Sequence, residues 1–239
     1  MSATRAPRLL VIAGSARQGS LNRQLADRAA AKARALGAET IDVDLRALAL
    51  PVFDADLIGT EGIPAGALKL RELFAQADGL VLACPEYNAL PTPLLVNAFD
   101  WLSVVQAQGD LPGGTGATAG KPAGLLAASP GALGGIRALP IVRTYLSTNF
   151  AMVVVPEQVG VPAADQQFMA PGHLASDALD QMLDRLVASV VRQAKLHTHH
   201  KIAREELSVR EHMTLILRNL AGRAFTEFST PEPEVMVPE

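Results

Sequence analysis

Residues 8–26 read RLLVIAGSARQGSLNRQLA. Leu9, Leu10, Val11 and Ile12 make a short apolar run with small polar residues behind it, the form of a strand covered on both faces. Two glycines, two serines and one arginine follow before helical periodicity sets in at Leu21. A chain that leaves a buried strand this way and restarts at once as a helix leaves room for something at the turn. The free N–H groups and the positive dipole end of the helix starting near Leu21 point there. Ser15, Ser20 and Asn22 add polar side chains, and Gly14 and Gly19 allow close backbone approach. Arg17 brings the one formal charge of the loop, suited to a phosphate dianion. An ordinary helix cap through Ser20 or Asn22, with Arg17 solvated, accounts for the same residues.

The same alternation continues along the chain. Strand-like runs stand at 8–13, 39–45, 79–84, 123–129 and 150–155, with helical patterns near 21–36, 65–77, 93–107, 135–149 and 176–198. Leu21, Leu25, Ala29, Ala33 and Leu36 form the apolar stripe of the first helix, with Gly37 as its stop. Pro140 predicts a late start or a kink in the fourth. Five strands in βα alternation predict an α/β, doubly wound parallel sheet in the order 2-1-3-4-5. Ligands of such sheets bind beyond the carboxyl ends of the strands where the order reverses. The Gly/Thr-rich stretch 109–121, GDLPGGTGATAGK, reads as a mobile, solvent-facing loop. Residues 1–200 suffice for the sheet domain, and 201–239 form an extension. In it Ser208 and Glu211 have capping-box spacing, Val209, Met213, Ile216, Leu217, Leu220 and Ala224 follow helical period, and STPEPEVMVPE is an extended tail. The apolar face of that added helix is expected at a subunit interface.

The 239 residues are 49% hydrophobic and 19% charged, with a net charge of −3, which marks a globular chain and argues against nucleic acid as the main partner. A single cysteine, Cys84, excludes an intramolecular disulfide and a multi-cysteine metal site, and reads as a small buried hydrophobe. The histidines at 197, 199 and 200 read as a solvated helix end and not a metal site. The N-terminal apolar run is too short for a signal peptide or a membrane span, so a cytoplasmic location and no membrane contact are expected. Neither G-x-x-x-x-G-K-[ST] nor G-x-G-x-x-G occurs, which removes support for a nucleoside triphosphatase or an ordinary dinucleotide fold.

Two further strand exits carry chemistry. CPEYNALPTPLLVNAFDWLS, 84–103, offers Pro85 as a stiff turn, Glu86, the aromatic Tyr87, and donors and acceptors at Asn88. SPGALGG, 129–135, strips side chains from the backbone at Gly131, Gly134 and Gly135. Such surroundings suit a flat heteroaromatic ring with polar edges, although ordinary turn chemistry explains either stretch alone. Glu86 is read as an ion pair or a solvent-facing residue at the site rim. Asp100 and Trp101 either border the pocket or anchor a helix in the core or an interface.

With GSARQGSLN (14–22), LALPVFDADL (48–57), PEYN and NAFDWLS (85–103) and GKPAGLLAASPGALGG (120–135), the chain resembles the NAD(P)H-dependent FMN reductases, flavodoxin-like enzymes that include quinone, chromate and azo-dye reductases. The resemblance covers about residues 8–190. It implies an FMN whose phosphate is held by Ser15, Arg17, Ser20 and Asn22 at the helix start near Leu21. It implies an isoalloxazine lined by Pro85, Glu86, Tyr87 and Asn88 and bordered by Ser129, Gly131 and Gly134. It further implies a homodimer or homotetramer, NADPH or NADH as donor, and a small-molecule electron acceptor such as a quinone, served by a ping-pong mechanism with the flavin carrying the chemistry. A non-enzymatic FMN-binding electron carrier or sensor with a partner-docking C-terminal helix is the alternative. Ala89 and Leu90 depart from the Gly-Ser that commonly follows PEYN, and Val104 from the arginine that many relatives have after WLS.

Overall fold

A computed structural model of the chain describes residues 5–168 and 173–199, together with Met213. Strands β1 (Arg8–Ala13), β2 (Glu39–Val43), β3 (Gly79–Ala83), β4 (Pro122–Ala128) and β5 (Val153–Val161) form one parallel sheet in the order β2-β1-β3-β4-β5. This is the doubly wound order that the alternation predicts. The helices are α1 (Leu21–Ala35), α2 (Ala55–Thr60), α3 (Ala65–Gln76), α4 (Pro93–Ser103), α5 (Gly114–Thr118), α6 (Ala138–Asn149) and α7 (Ala164–Gln167). Residues 177–199 are also helical and are called α8.

Side chains alternate across each strand, so one continuous apolar run feeds two cores. Leu9, Val11, Ala13, Val81 and Ala83 face α1 and α8, where Leu25, Ala29, Leu186 and Val190 are fully buried. Leu10, Ile12, Leu80, Leu82 and Cys84 face the other side, against Leu70, Phe74, Phe99 and Leu146 of α3, α4 and α6. Small alanines on α1 (Ala26, Ala29, Ala30, Ala33) let it lie close over the sheet. Lys32 then ties α1 to α8 through Asp180 at 2.9 Å and Asp184 at 2.7 Å.

Three departures from the sequence reading have plain causes. The 109–121 stretch is not a solvent-facing loop throughout. Residues 114–118 form α5, Ala117 and Thr118 are buried, and the Thr118 hydroxyl donates to the Phe150 carbonyl at 2.8 Å. The Gly114 N–H reaches the Val105 carbonyl at 2.8 Å, and α4 ends at Ser103, short of the predicted 107. β5 begins at Val153 instead of Phe150, because Phe150 caps α6 and Ala151 turns with φ +50°. The strand then runs past Pro156 to Val161, since a bulge carries the proline and pairing with β4 resumes at Gln158. α6 starts late, at Ala138, which leaves Pro140 in its first turn.

The chain divides into two compact units, Met1–Thr198 and His199–Glu239. In the second, the helix expected over 208–224 and the tail lie outside the described residues, Met213 excepted. Among the described residues, no helix is long and apolar enough to cross a membrane.

Candidate functional site

The exits of β1, β3 and β4 converge because these three strands are neighbours in the sheet. The Gly14 N–H donates to the Ala83 carbonyl at 2.9 Å, and the Cys84 N–H to that of Leu126 at 2.8 Å, so each exit is pinned to the next strand. Thr92 fastens the first exit from the far side. Its hydroxyl donates to the Gly14 carbonyl at 2.6 Å and caps α4 by accepting the Leu95 N–H. Sequence reading passed over Thr92, although Thr-Pro before an apolar run is a legible helix start.

Between the exits lies a cleft of about 150 Å³. Its β1 side is formed by Ser15, Arg17, Ser20, Leu21 and Asn22, its β3 side by Pro85, Glu86 and Tyr87, and its β4 side by Ala128, Ser129 and Pro130. Nine of the twelve residues singled out from sequence thus meet in one place. Asn88, Gly131 and Gly134 lie off the wall, and Ala128 and Pro130 are lining residues that sequence reading did not name.

In the β1 loop, Gly19 turns with φ +66°, a conformation that glycine adopts freely. Ser20 then caps α1, accepting the Arg23 N–H at 3.3 Å. The first bond of the helix is from the Gln24 N–H to the Ser20 carbonyl, so the N–H groups of Leu21 and Asn22 precede its internal pattern and are donors at the cleft. The Asn22 side chain is committed elsewhere. Only 4% exposed, it donates to the Ala128 carbonyl at 2.8 Å and accepts the Ala128 N–H at 3.0 Å, clamping the start of α1 to the end of β4. Arg17 is exposed, and its guanidinium makes no hydrogen bond or ion pair with a described residue. The loop therefore presents one uncommitted cation, two hydroxyls and a helix N-terminus to the same space, which fits a phosphate.

On the β3 side, Tyr87 and Leu90 exchange backbone bonds of 2.9 and 3.0 Å around a two-residue turn. Asn88 and Ala89 both have positive φ, +54° and +68°. The left-handed conformation suits Asn and costs alanine more, and it falls on the position where the sequence departs from Gly. Tyr87 is left 51% exposed, an aromatic face open to a partner. Glu86 forms the ion pair expected of it. Its carboxylate accepts from the Arg137 Nε at 2.7 Å, from the Arg137 Nη2 and from the Arg137 N–H at 2.9 Å, at the start of α6. The Arg137 guanidinium holds the Glu86 carboxyl below its ordinary range, against a smaller upward push from burial. No local sequence signal marks Arg137 as this partner.

The β4 exit turns on Ser129, whose Oγ accepts the Gly131 N–H at 3.1 Å. Gly134 has φ +61°, and a Cβ there would meet the Val161 and Pro162 backbone at 2.7 Å. The close approach that this glycine permits is to the protein's own chain at the end of β5. Trp101 is fully buried, donates from Nε1 to the Pro51 carbonyl at 2.8 Å and stacks edge-on against Phe53; Asp100 accepts from the Tyr145 hydroxyl at 3.1 Å. Both anchor α4. Cys84 is fully buried and its thiol is pushed up to about 11 by burial.

Fold and cleft define a doubly wound α/β protein of flavodoxin type, with its cleft at the β1/β3 reversal of strand order. Residues 7–166, more than half of the chain, match the sequence profile of the NADPH-dependent FMN reductases, and the chain belongs to that family of oxidoreductases. It is 36% identical over 155 residues to a quinone reductase of Escherichia coli (strain K12), an alignment that covers 64% of this chain and 76% of the relative. It is 30% identical over 181 residues to an NAD(P)H-dependent FMN reductase of Pseudomonas aeruginosa, covering 74% and 90% of the two chains. Among solved structures, FerB, a flavoenzyme NAD(P)H:(acceptor) oxidoreductase from Paracoccus denitrificans, superposes with a TM-score of 0.64 at 23% identity. That match covers 80% of this chain and 99% of the other, a likeness of fold.

Proposed function

We propose that the cleft holds FMN and that the enzyme passes electrons from NAD(P)H to a quinone or similar small acceptor. The observation that carries this reading is the meeting of three strand exits around one cleft whose only formal cation, Arg17, is uncommitted. Arg17, the hydroxyls of Ser15 and Ser20 and the N–H groups of Leu21 and Asn22 hold the phosphate. Pro85, Tyr87 and Asn88 shape the ring side, with Glu86 keeping that loop fixed to α6 through Arg137. Ser129, Gly131 and Gly134 shape the opposite edge. Bound FMN supplies the hydride acceptor and the electron donor, so no side chain need act as nucleophile or general acid. The chain's part is to bind and orient, and to leave one face open that donor and acceptor occupy in turn. Initial-rate lines at several acceptor concentrations therefore run parallel.

Apolar side chains exposed beside the cleft, Tyr87, Leu90, Leu133 and Ile136, support a homodimer or homotetramer in which a second copy covers the rim. Residues 201–239 are an appended extension of the FMN-binding unit 1–200, and one free thiol fits a cytoplasmic protein.

The deciding experiment is the visible spectrum of the purified protein. A yellow protein bleached by NADPH or NADH without a helper enzyme supports the enzyme. Yellow that persists under both donors and yields to dithionite alone marks a carrier instead. Arg17→Glu should abolish FMN retention while the unfolding free energy of the apoprotein stays within about 0.5 kcal/mol.

A further inference from the structure

A second groove, about 860 Å³ and open, lies on the β2 side of the phosphate loop. It shares Ser15, Arg17 and Ser20 with the cleft, so the loop is the wall between the two and Arg17 faces both. Its other walls are the first turns of α1, with Arg23 and Asp27, and the exit of β2, with Asp42, Asp44 and Arg46. The volume falls within the range of roughly 300–1,000 Å³ typical of ligand sites.

The charges in this groove are only partly used by the fold. Arg23 is occupied, donating to the Val43 carbonyl at 3.0 Å and lying 3.7 Å from both Asp27 and Asp42. Arg46 reaches only the Ala16 carbonyl, at 3.5 Å, and no carboxylate among the described residues pairs with it or with Arg17. Asp42 meets Arg23 through Oδ1, and Asp44 accepts the Arg46 N–H through Oδ1 at 2.9 Å. The second oxygen of each takes no hydrogen bond from a described residue, and the Asp42 side chain is 60% exposed. Two uncommitted guanidinium groups thus flank a helix N-terminus, with two half-used carboxylates at the end of the adjoining strand. A phosphate followed by a sugar diol has the matching pattern. Guanidinium groups and helix N–H groups take the phosphate oxygens, and ribose hydroxyls donate to a carboxylate at the carboxyl end of β2, as doubly wound sheets do with adenosine nucleotides.

We propose that this groove is an adenylate subsite. It receives the adenosine 5′-phosphate half of a flavin adenine dinucleotide whose flavin phosphate occupies the β1 loop, with Arg17 between the two phosphates. Asp42 takes the ribose hydroxyls and Arg46 the adenylate phosphate. The inference rests on the assignment of the flavin phosphate to that loop. The adenylate of the nicotinamide donor has the same chemistry, and the test separates the two sources.

Calorimetric titration of the apoprotein with FMN and with FAD, and of the FMN-loaded protein with AMP, decides it. The titrations are repeated for Asp42→Asn and Arg46→Ala, with thermal melts to confirm that each variant is folded. FAD is expected to bind at least as tightly as FMN, and each variant to weaken FAD by about tenfold while FMN stays within about twofold. FAD indifferent to both variants, with AMP binding the FMN-loaded protein in an Asp42-dependent way, also supports the subsite and assigns it to the donor. FAD indifferent to both variants and no AMP binding overturn the proposal and leave FMN binding intact. No binding of FMN or FAD to the folded wild-type apoprotein overturns the flavin assignment and the subsite with it.

Discussion

Replacing Asn22 with alanine separates the scaffold of the cleft from its ligand chemistry. The Asn22 amide makes two bonds, 2.8 and 3.0 Å, to the two backbone groups of Ala128 at the last residue of β4. Both partners are buried, Asn22 to 4% and Ala128 to 4% exposure, so truncation leaves an N–H and a carbonyl unpaired away from bulk water. Each such orphan costs about 1–3 kcal/mol. Alanine regains a few tenths of a kcal/mol in helix propensity at the second position of α1, and a water entering the vacated space offsets part of the rest. The expected net loss is about 3 kcal/mol, large against the roughly 5–15 kcal/mol that holds a domain of this size. Urea unfolding of the flavin-free protein measures it without linkage from bound FMN. Asn22→Asp keeps the acceptor but loses the donor and places a charge against the Ala128 carbonyl, so it should be no better than alanine. A loss below about 1 kcal/mol for Asn22→Ala would refute the clamp and return the Asn22 side chain to the ligand.

Further outcomes follow from the same geometry. Ala89→Gly relieves a φ of +68° and should stabilise the fold by about 0.5–1 kcal/mol after the larger chain entropy of glycine is subtracted, read as a shift in urea midpoint. Asp78, completely buried at its side chain, is pushed up by burial but pulled down further by Arg5 at 2.6 and 2.8 Å and by the Arg8 N–H, so its carboxyl lies below the ordinary 3.8. Glu86 likewise lies below its ordinary 4.5. Both contributions are present above the ordinary values and fade as pH falls through the depressed ones, so denaturant midpoints should hold to about pH 5 and decline below it. Arg137→Ala should flatten part of that decline, and an unchanged slope would remove Glu86 from the account. Cys84, with its thiol near 11 and no exposure, should resist a thiol reagent at about pH 8 until the protein is unfolded.

Much of the architecture was legible because parallel strands buried on both faces advertise themselves. Leu9–Ile12, the run at 79–84 and the run at 122–128 are apolar without alternation, and helical stripes fill the gaps. The convergence of Ser15, Arg17, Pro85, Tyr87 and Ser129 followed from strand order, since the exits of adjacent strands must meet. What was not legible was set by contacts distant in sequence. The division of labour within the β1 loop, with Ser20 capping and Asn22 clamping, depends on Ala128, 106 residues away. The Glu86 partner depends on where α6 begins, and α5 is buried because α3 and α4 cover a stretch whose composition reads as loop. β5 was truncated at Pro156 because a bulge cannot be seen without its partner strand.

That bulge has a bearing on assembly. The sheet has two open margins, and each is unfit to template another strand. On one side Pro156 lacks a donor and the irregular stretch from Val154 to Gln158 breaks the spacing, and on the other β2 is short and carries Glu39 and Asp42. Copies of this molecule cannot join by lengthening the sheet. Any quaternary contact has to be made through helix faces and the loop end that carries the cleft, so association and access to the cleft are governed by the same surface.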